Sequence, residues 1–174
     1  MIDQAEPAWT DDTERLWLRP LEEADAAHFE NLFKDDWDAV KQTGRMPYPI
    51  TTAAMRDWIR RHTSPGGHVF FLRRKSDHDP IGAIGFGGRG PIAELGYALG
   101  RSYWGRGYAT EAVMAMIEVA RGFSLGGLQA YSFVENPASA RVLEKAGFSE
   151  LGVIVREYPK RGGLRRVHHF KRML

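Results

Sequence analysis

The sequence predicts an α+β fold, a mixed β-sheet with helices on both faces. Three observations lead there. Runs of strand character and runs of helical period follow one another in the order β-α-α-β-β-β-α-β-α-β-β. A glycine-rich turn, Tyr103-Trp104-Gly105-Arg106-Gly107, joins an apolar strand at 92–99 to a helix at 108–121. On that helix Ala109, Ala112, Val113, Met116, Ile117 and Ala120 share one face. Finally, Asn136-Pro137 opens a shorter helix that Gly147 closes.

Taken in order, residues 1–13 are polar and acidic and are expected to fray. Residues 15–19 alternate charged and apolar side chains, a strand stopped by Pro20. Residues 22–33 read as a helix with Ala26, Phe29, Leu32 and Phe33 inward. The stretch 35–50 carries Trp37, Met46 and Tyr48, and prolines at 47 and 49 forbid regular helix there. Thr51 or Thr52 caps a helix to residue 62, with Met55, Trp58 and Ile59 on one face. A Ser-Pro-Gly-Gly loop at 64–67 leads to a strand at 68–74. The next strand, 81–87, is glycine-rich, which marks bends or close backbone approach. Strands follow at 92–99 and, beyond the central helix, at 128–134. Two last strands, 152–158 and 164–172, flank the turn Arg161-Gly162-Gly163. With no repeat, linker or low-complexity tract, residues 1–174 read as a single domain.

Composition bounds the function. A chain of 174 residues, 43% hydrophobic and 26% charged, has the make-up of a soluble globular domain with a sizeable core. The absence of cysteine removes thiol nucleophiles, disulfides and cysteine-based metal sites. No apolar run reaches membrane-spanning length and the acidic start is no signal peptide, so a cytoplasmic monomer or homodimer is expected. A net charge of +2 gives no footprint for nucleic acid. Residues 156–174 hold seven bases and one acid, which reads as a solvated edge hairpin; a role in holding phosphates is the other reading. His168 and His169 point to opposite faces of a strand and cannot chelate a metal together. All six histidines read as surface or core residues, and no metal is expected.

The glycine-rich turn carries the chemistry. Gly105 and Gly107 let a ligand approach the backbone, and the first N–H groups of the following helix lack internal partners. Arg101 and Arg106 add positive charge beside the turn, as in a phosphate cradle. Thr110 stands where a dinucleotide fingerprint needs its third glycine, and a P-loop's Lys is missing. A turn that only tightens the strand-to-helix connection would have the same spacing.

Three motifs in order add a resemblance. Glu94-Leu95-Gly96-Tyr97 followed by Tyr103 to Ala112 resembles the acetyl-CoA pyrophosphate loop of the GNAT N-acetyltransferase superfamily. Asn136-Pro137-Ala138-Ser139-Ala140-Arg141-Val142-Leu143-Glu144-Lys145-Ala146-Gly147-Phe148 is a second match, and Glu14 to Pro20 a third. Together they are similar to the RimJ/RimL branch, whose known members acetylate protein N-termini. Trp104 departs from the Gln or Arg that often opens the family's loop. The resemblance implies a GNAT-like fold whose central sheet splays between the strands at 92–99 and 128–134. It also implies acetyl-CoA as cosubstrate, with CoA contacts at Tyr97, Ala98, Leu99, Trp104, Gly105, Arg106, Gly107, Tyr108, Ala109, Thr110, Asn136 and Ser139.

Acetyl transfer needs a neutral amine, and an α-amino group, with pKa about 8, is closer to that state at pH 7 than a lysine at about 10.4. Attack gives a tetrahedral oxyanion, for which backbone N–H groups around 97–99 are candidate donors. Glu94, on the motif strand, is the candidate base; the other reading is a strand carboxylate paired with an arginine. Glu111 lies in the first helical turn, where a carboxylate serves the N–H groups and the dipole. Many GNAT enzymes protonate the CoA thiolate with a tyrosine where this chain has Leu143. Ser139, one turn earlier on the same face, is the substitute the resemblance implies; a backbone bond at the helix start is its other reading. Trp37, Met46, Tyr48 and Tyr158 are candidate acceptor-pocket residues, or aromatic anchors of a proline-stiffened loop. The acceptor is a protein N-terminus or a small amine. The alternative from another class is a non-catalytic acyl-CoA-binding sensor, which has no need of Glu94 or Ser139.

Overall fold

The computed structural model describes residues 13–63 and 68–174. The tail expected to fray, save Thr13, and the loop at 64–67 lie outside the described residues. Seven strands and five α-helices follow the chain: β1 (Leu16–Pro20), α1 (Ala26–Phe33), α2 (Trp37–Val40), α3 (Thr52–His62), β2 (His68–Arg74), β3 (Pro80–Gly87), β4 (Ile92–Leu99), α4 (Tyr108–Gly122), β5 (Gly127–Phe133), α5 (Pro137–Lys145), β6 (Ser149–Tyr158) and β7 (Gly163–Met173). Two of the differences from the sequence reading have a clear local cause. Trp37–Val40 forms one helical turn because the Asp36 carboxylate accepts from the Ala39 N–H at 3.0 Å, and the prolines begin only at 47. β6 starts at Ser149 because a bulge between Glu150 and Gly152 lets pairing with β7 resume on its far side.

The strands form one mixed sheet in the order β1-β2-β3-β4-β5-β7-β6. Every neighbouring pair is antiparallel except β4 and β5. That parallel pair is in register only at Ile92, Ala93 and Glu94, against Gly127, Leu128 and Gln129. Beyond Glu94 the two strands part and the sheet splays. From Leu95 onward β4 still pairs with β3, but among the described residues no strand lies against its other edge.

Alternation along the strands sends neighbours to opposite faces. Phe71 and Ala83 join Phe29, Phe33, Met55 and Ile59 in a core beneath α1, α2 and α3. Their neighbours Leu72 and Ile84 join the other core, with Ala112, Val113, Met116, Ile117 and Ala120 of α4 and Leu143 of α5. Each large side chain so buried stabilises the fold by about 1.5–3 kcal/mol. A buried pair ties β1 to the turn before α1: Arg19 Nη1 donates to Asp25 at 2.7 Å, and the same carboxylate accepts from the Glu22 N–H. Among the described residues no helix is long and apolar enough to cross a membrane.

Candidate active site

Two cavities open where the sheet splays, one on each side of the gap. The first, about 320 Å³, runs from the glycine-rich turn to α5. The second, about 230 Å³, lies between β4 and the α2–α3 side of the sheet. Tyr97, Ala98, Ser139, Gln42 and Thr43 line both, so the cavities meet at those residues.

The first cavity has the features that suit an anion. Gly107 precedes α4 with φ +82°, in the left-handed region, and no side chain caps the first turn of the helix. Its N–H groups therefore face the cavity without partners. A Cβ on Gly105 would meet nothing within 4 Å, so the space above the turn is open. Arg15 fixes the turn from below. Its backbone N–H and Nε each donate to Glu111 at 2.7 Å, and Nη1 donates to the Arg106 carbonyl at 2.9 Å. Glu111 thus holds Arg15 rather than the helix N–H groups that the sequence points to.

Of the residues expected to touch CoA, Tyr97, Ala98, Leu99, Trp104, Gly105, Gly107, Tyr108, Ala109, Thr110, Asn136 and Ser139 line this cavity; Arg106 does not. Arg101, expected beside the anion, instead donates Nε to Asp36 at 2.7 Å. That bond helps hold the Asp36 carboxylate below its usual range. The cations on the cavity wall are Arg141 and Lys145, which the sequence reading passed over. They stand one turn apart on α5, a spacing visible in the sequence. None of the bases at 156–174 lines the cavity. Trp104 spends its indole N–H on the Leu99 carbonyl at 2.8 Å, packing the departure from the family pattern against the end of β4. The open turn, the two cations and the unpaired edge of β4 fit an acyl-CoA with its pyrophosphate at the helix start and its pantetheine arm along β4.

At the junction, the Ser139 hydroxyl lies 2.8 Å from the Tyr97 hydroxyl. Burial pushes the Tyr97 phenol up to about 12, and its bond to Ser139 offsets part of that rise. Asn136 caps α5 by accepting from the Ser139 N–H at 3.2 Å, which leaves the Ser139 hydroxyl to Tyr97. Leu143 is buried beside the second cavity.

Glu94, Arg45, Met46, Trp58, His62, Tyr131 and Tyr158 line that second cavity. Both oxygens of Glu94 are occupied: Arg45 donates at 2.9 Å and Arg156 at 3.2 Å. Of the candidate acceptor residues, Met46 and Tyr158 face the cavity. Trp37 and Tyr48 line neither cavity; their rings pack on each other at 4.8 Å, and Arg161 covers Trp37 at 5.5 Å. They anchor the irregular segment instead. Arg161 holds the same segment from inside, donating to the carbonyls of Thr43, Val40 and Met46 at 2.6, 3.0 and 2.9 Å. Burial lowers the pKa of this guanidinium, and backbone carbonyls are what it finds as partners. Nothing in the spacing of Arg161 marks it as a buried clamp.

A family model described as an acetyltransferase (GNAT) domain matches residues 15–149. The chain belongs to the GNAT acetyltransferase family. It is an acetyl-CoA-dependent N-acetyltransferase by that membership. An uncharacterized N-acetyltransferase of Bacillus licheniformis is 33% identical over 162 residues, 87% of this chain and 88% of the relative. Solved GNAT folds superpose closely. The ribosomal-protein-S5-alanine acetyltransferase of Vibrio fischeri gives a TM-score of 0.79 at 20% identity, over 95% of this chain and 96% of that one. The spermidine N-acetyltransferase of Vibrio cholerae, solved with CoA and spermine, gives 0.77 at 20% identity, over 91% and 95%. At such identities the likeness is one of fold. GNAT enzymes use acetyl-CoA, which accords with the open cradle at α4.

Proposed function

We propose that this GNAT enzyme transfers an acetyl group directly from acetyl-CoA in the α4 cavity to a primary amine in the Glu94 cavity. The observation that carries the reading is the meeting of two cavities at Tyr97, Ala98 and Ser139. A sensor that only binds acyl-CoA has no use for the second one. When bound, acetyl-CoA supplies a thioester carbonyl and, once attacked, a thiolate leaving group.

The chain's own groups do the rest. Tyr108, Ala109 and Thr110 present N–H groups to the pyrophosphate, with Arg141 and Lys145 beside it. The backbone of Tyr97 to Leu99 holds the pantetheine arm and offers donors to the developing oxyanion. Ser139 stands at the junction, where its hydroxyl gives a proton to the departing sulfur and recovers one by way of Tyr97, resupplied through solvent by the proton that the acylated nitrogen loses. Glu94 orients Arg45 and Arg156 on the acceptor side. Met46 and Tyr158 shape the wall against which the amine's carbon chain lies.

The acceptor is a peptide N-terminus or a small-molecule amine. Incubating the enzyme with acetyl-CoA and a panel of peptides, amino acids, polyamines and aminoglycosides, with mass spectrometry of each, tests the reading. A gain of one acetyl group on a primary amine supports it. Binding of acetyl-CoA with no acetylated product from any amine class overturns it.

A further inference from the structure

The second cavity contains a histidine that the transfer scheme above does not use. His62 ends α3 and lines the cavity together with Glu94, Arg45 and Trp58. Its Nδ1 lies 2.7 Å from the Trp58 carbonyl oxygen. A carbonyl cannot donate, so Nδ1 carries the hydrogen, and in the neutral ring Nε2 holds a free lone pair. The ring is stacked on Trp58, centroids 4.1 Å apart and 18° from parallel, which fixes its plane. Trp58 is fixed in turn, donating its indole N–H to the Arg45 carbonyl at 3.0 Å. Arg45 then reaches Glu94. Histidine, tryptophan, arginine and glutamate form one connected wall.

We propose that His62 is the base that takes the proton from the acceptor amine, through Nε2. The assignment rests on the transfer reading above. Glu94 is the poorer choice because a water or proton on it must compete with two charge-assisted bonds. His62 has no such competitor. Burial is the largest influence on its ring and lowers its pKa; the bond to the Trp58 carbonyl works the other way, and Arg45, Arg61 and Lys160 lower it further. The net direction favours the neutral ring. Among the described residues no carboxylate is paired with it: Glu94 of β4 faces Arg45 and Arg156. The proton balance closes over two steps. R–NH₃⁺ gives one proton to Nε2 and becomes the nucleophile, and His62 releases that proton to solvent. The C–N bond forms, the C–S bond breaks, the sulfur takes a proton from Ser139, and the second proton lost by the nitrogen restores the Ser139–Tyr97 pair by way of solvent.

The test compares His62→Asn, which keeps a donor toward Trp58 but has no basic nitrogen, with His62→Ala and Glu94→Gln. Each is assayed with the best amine of the panel, for pH dependence of kcat, acetyl-CoA affinity and melting temperature. Both His62 variants should lose about 100-fold or more in kcat at pH 7, with acetyl-CoA affinity within about twofold. The gap should close at high pH, where the amine is already neutral, and added imidazole should restore part of the His62→Ala rate. Glu94→Gln should lose about tenfold or less, with little change across pH. Histidine variants within about threefold of the parent at pH 7, or a pH profile unchanged by removing His62, overturn the assignment while the transfer reading stands. No transfer by the parent enzyme to any amine overturns the transfer reading and the base with it.

Discussion

The hydroxyls of Ser139 and Tyr97 lie 2.8 Å apart, at the point shared by the two cavities. One comes from the short helix α5 and the other from β4, so the pair spans the splay of the sheet. The capping bond at α5 uses the Ser139 N–H and the Asn136 side chain, which Ser139→Ala leaves in place. This variant should lose roughly 10- to 100-fold in kcat, with acetyl-CoA affinity and melting temperature little changed. Tyr97→Phe should lose a similar factor, and the double variant less than the product of the two, because the hydroxyls act in series. Full activity in Ser139→Ala, or fully additive losses, would separate the pair from proton transfer.

Gly107→Val should abolish measurable acetyl-CoA binding. The physical reason lies partly beneath the turn. At φ +82° a branched side chain is strained, and its Cβ would come within 3.2 Å of the Arg15 guanidinium that holds the turn through Glu111. Isothermal titration checks this, with circular dichroism to show that the sheet persists. Affinity unchanged from the parent would remove the glycine turn from the cradle.

Arg141 and Lys145 supply the donor cavity with its positive charge, so their joint replacement by Ala should weaken acetyl-CoA binding by roughly tenfold or more. The loss should shrink as salt is raised, because screening already weakens the parent's contacts. Binding by dephospho and intact CoA across a salt series reads it out. The open glycine turn is legible in the sequence because glycine spacing before a helix has a direct backbone meaning. The cations beside it were less visible. Arg101 and Arg106 are nearest in the chain, yet Arg101 is taken by Asp36, a partner 65 residues away in sequence. The sequence points Trp37 and Tyr48 toward the acceptor, but their rings pack on each other instead. His62 was hidden for a different reason. A histidine at a helix end has an ordinary surface reading until Trp58, Arg45 and Glu94 are seen on the same wall. Apart from the single turn of α2, the order of elements and the main core faces are legible in the sequence, since period and burial follow from local chemistry. The splay, which rests on where β4 and β5 stop pairing, came only from the resemblance.

Stability should fall on acidification below about pH 6.5. Burial lowers the pKa of His28, His62 and His169 in the fold, with neighbouring arginines adding to the effect. Between the folded value and the unfolded 6.5, the unfolded chain binds more protons, so the free energy of unfolding rises with pH through that window. Above 6.5 the stability is fully present; it is lost as pH falls, by up to about 1.4 kcal/mol per pH unit for each proton taken up. Urea unfolding at a series of pH values from about 5 to 7.5 measures the slope, and His62→Asn should flatten it. A slope of the opposite sign would contradict the burial of these rings.

The most direct measurement of the central claim is the initial rate of thiol release from acetyl-CoA, with and without a primary amine. The two joined cavities predict release that depends on the amine, saturates with it, matches the acetylated product mole for mole and falls in Ser139→Ala. Release at the same rate without amine, or acetyl-CoA bound at the cradle with no amine-dependent release, would contradict direct transfer across the Tyr97–Ser139 junction.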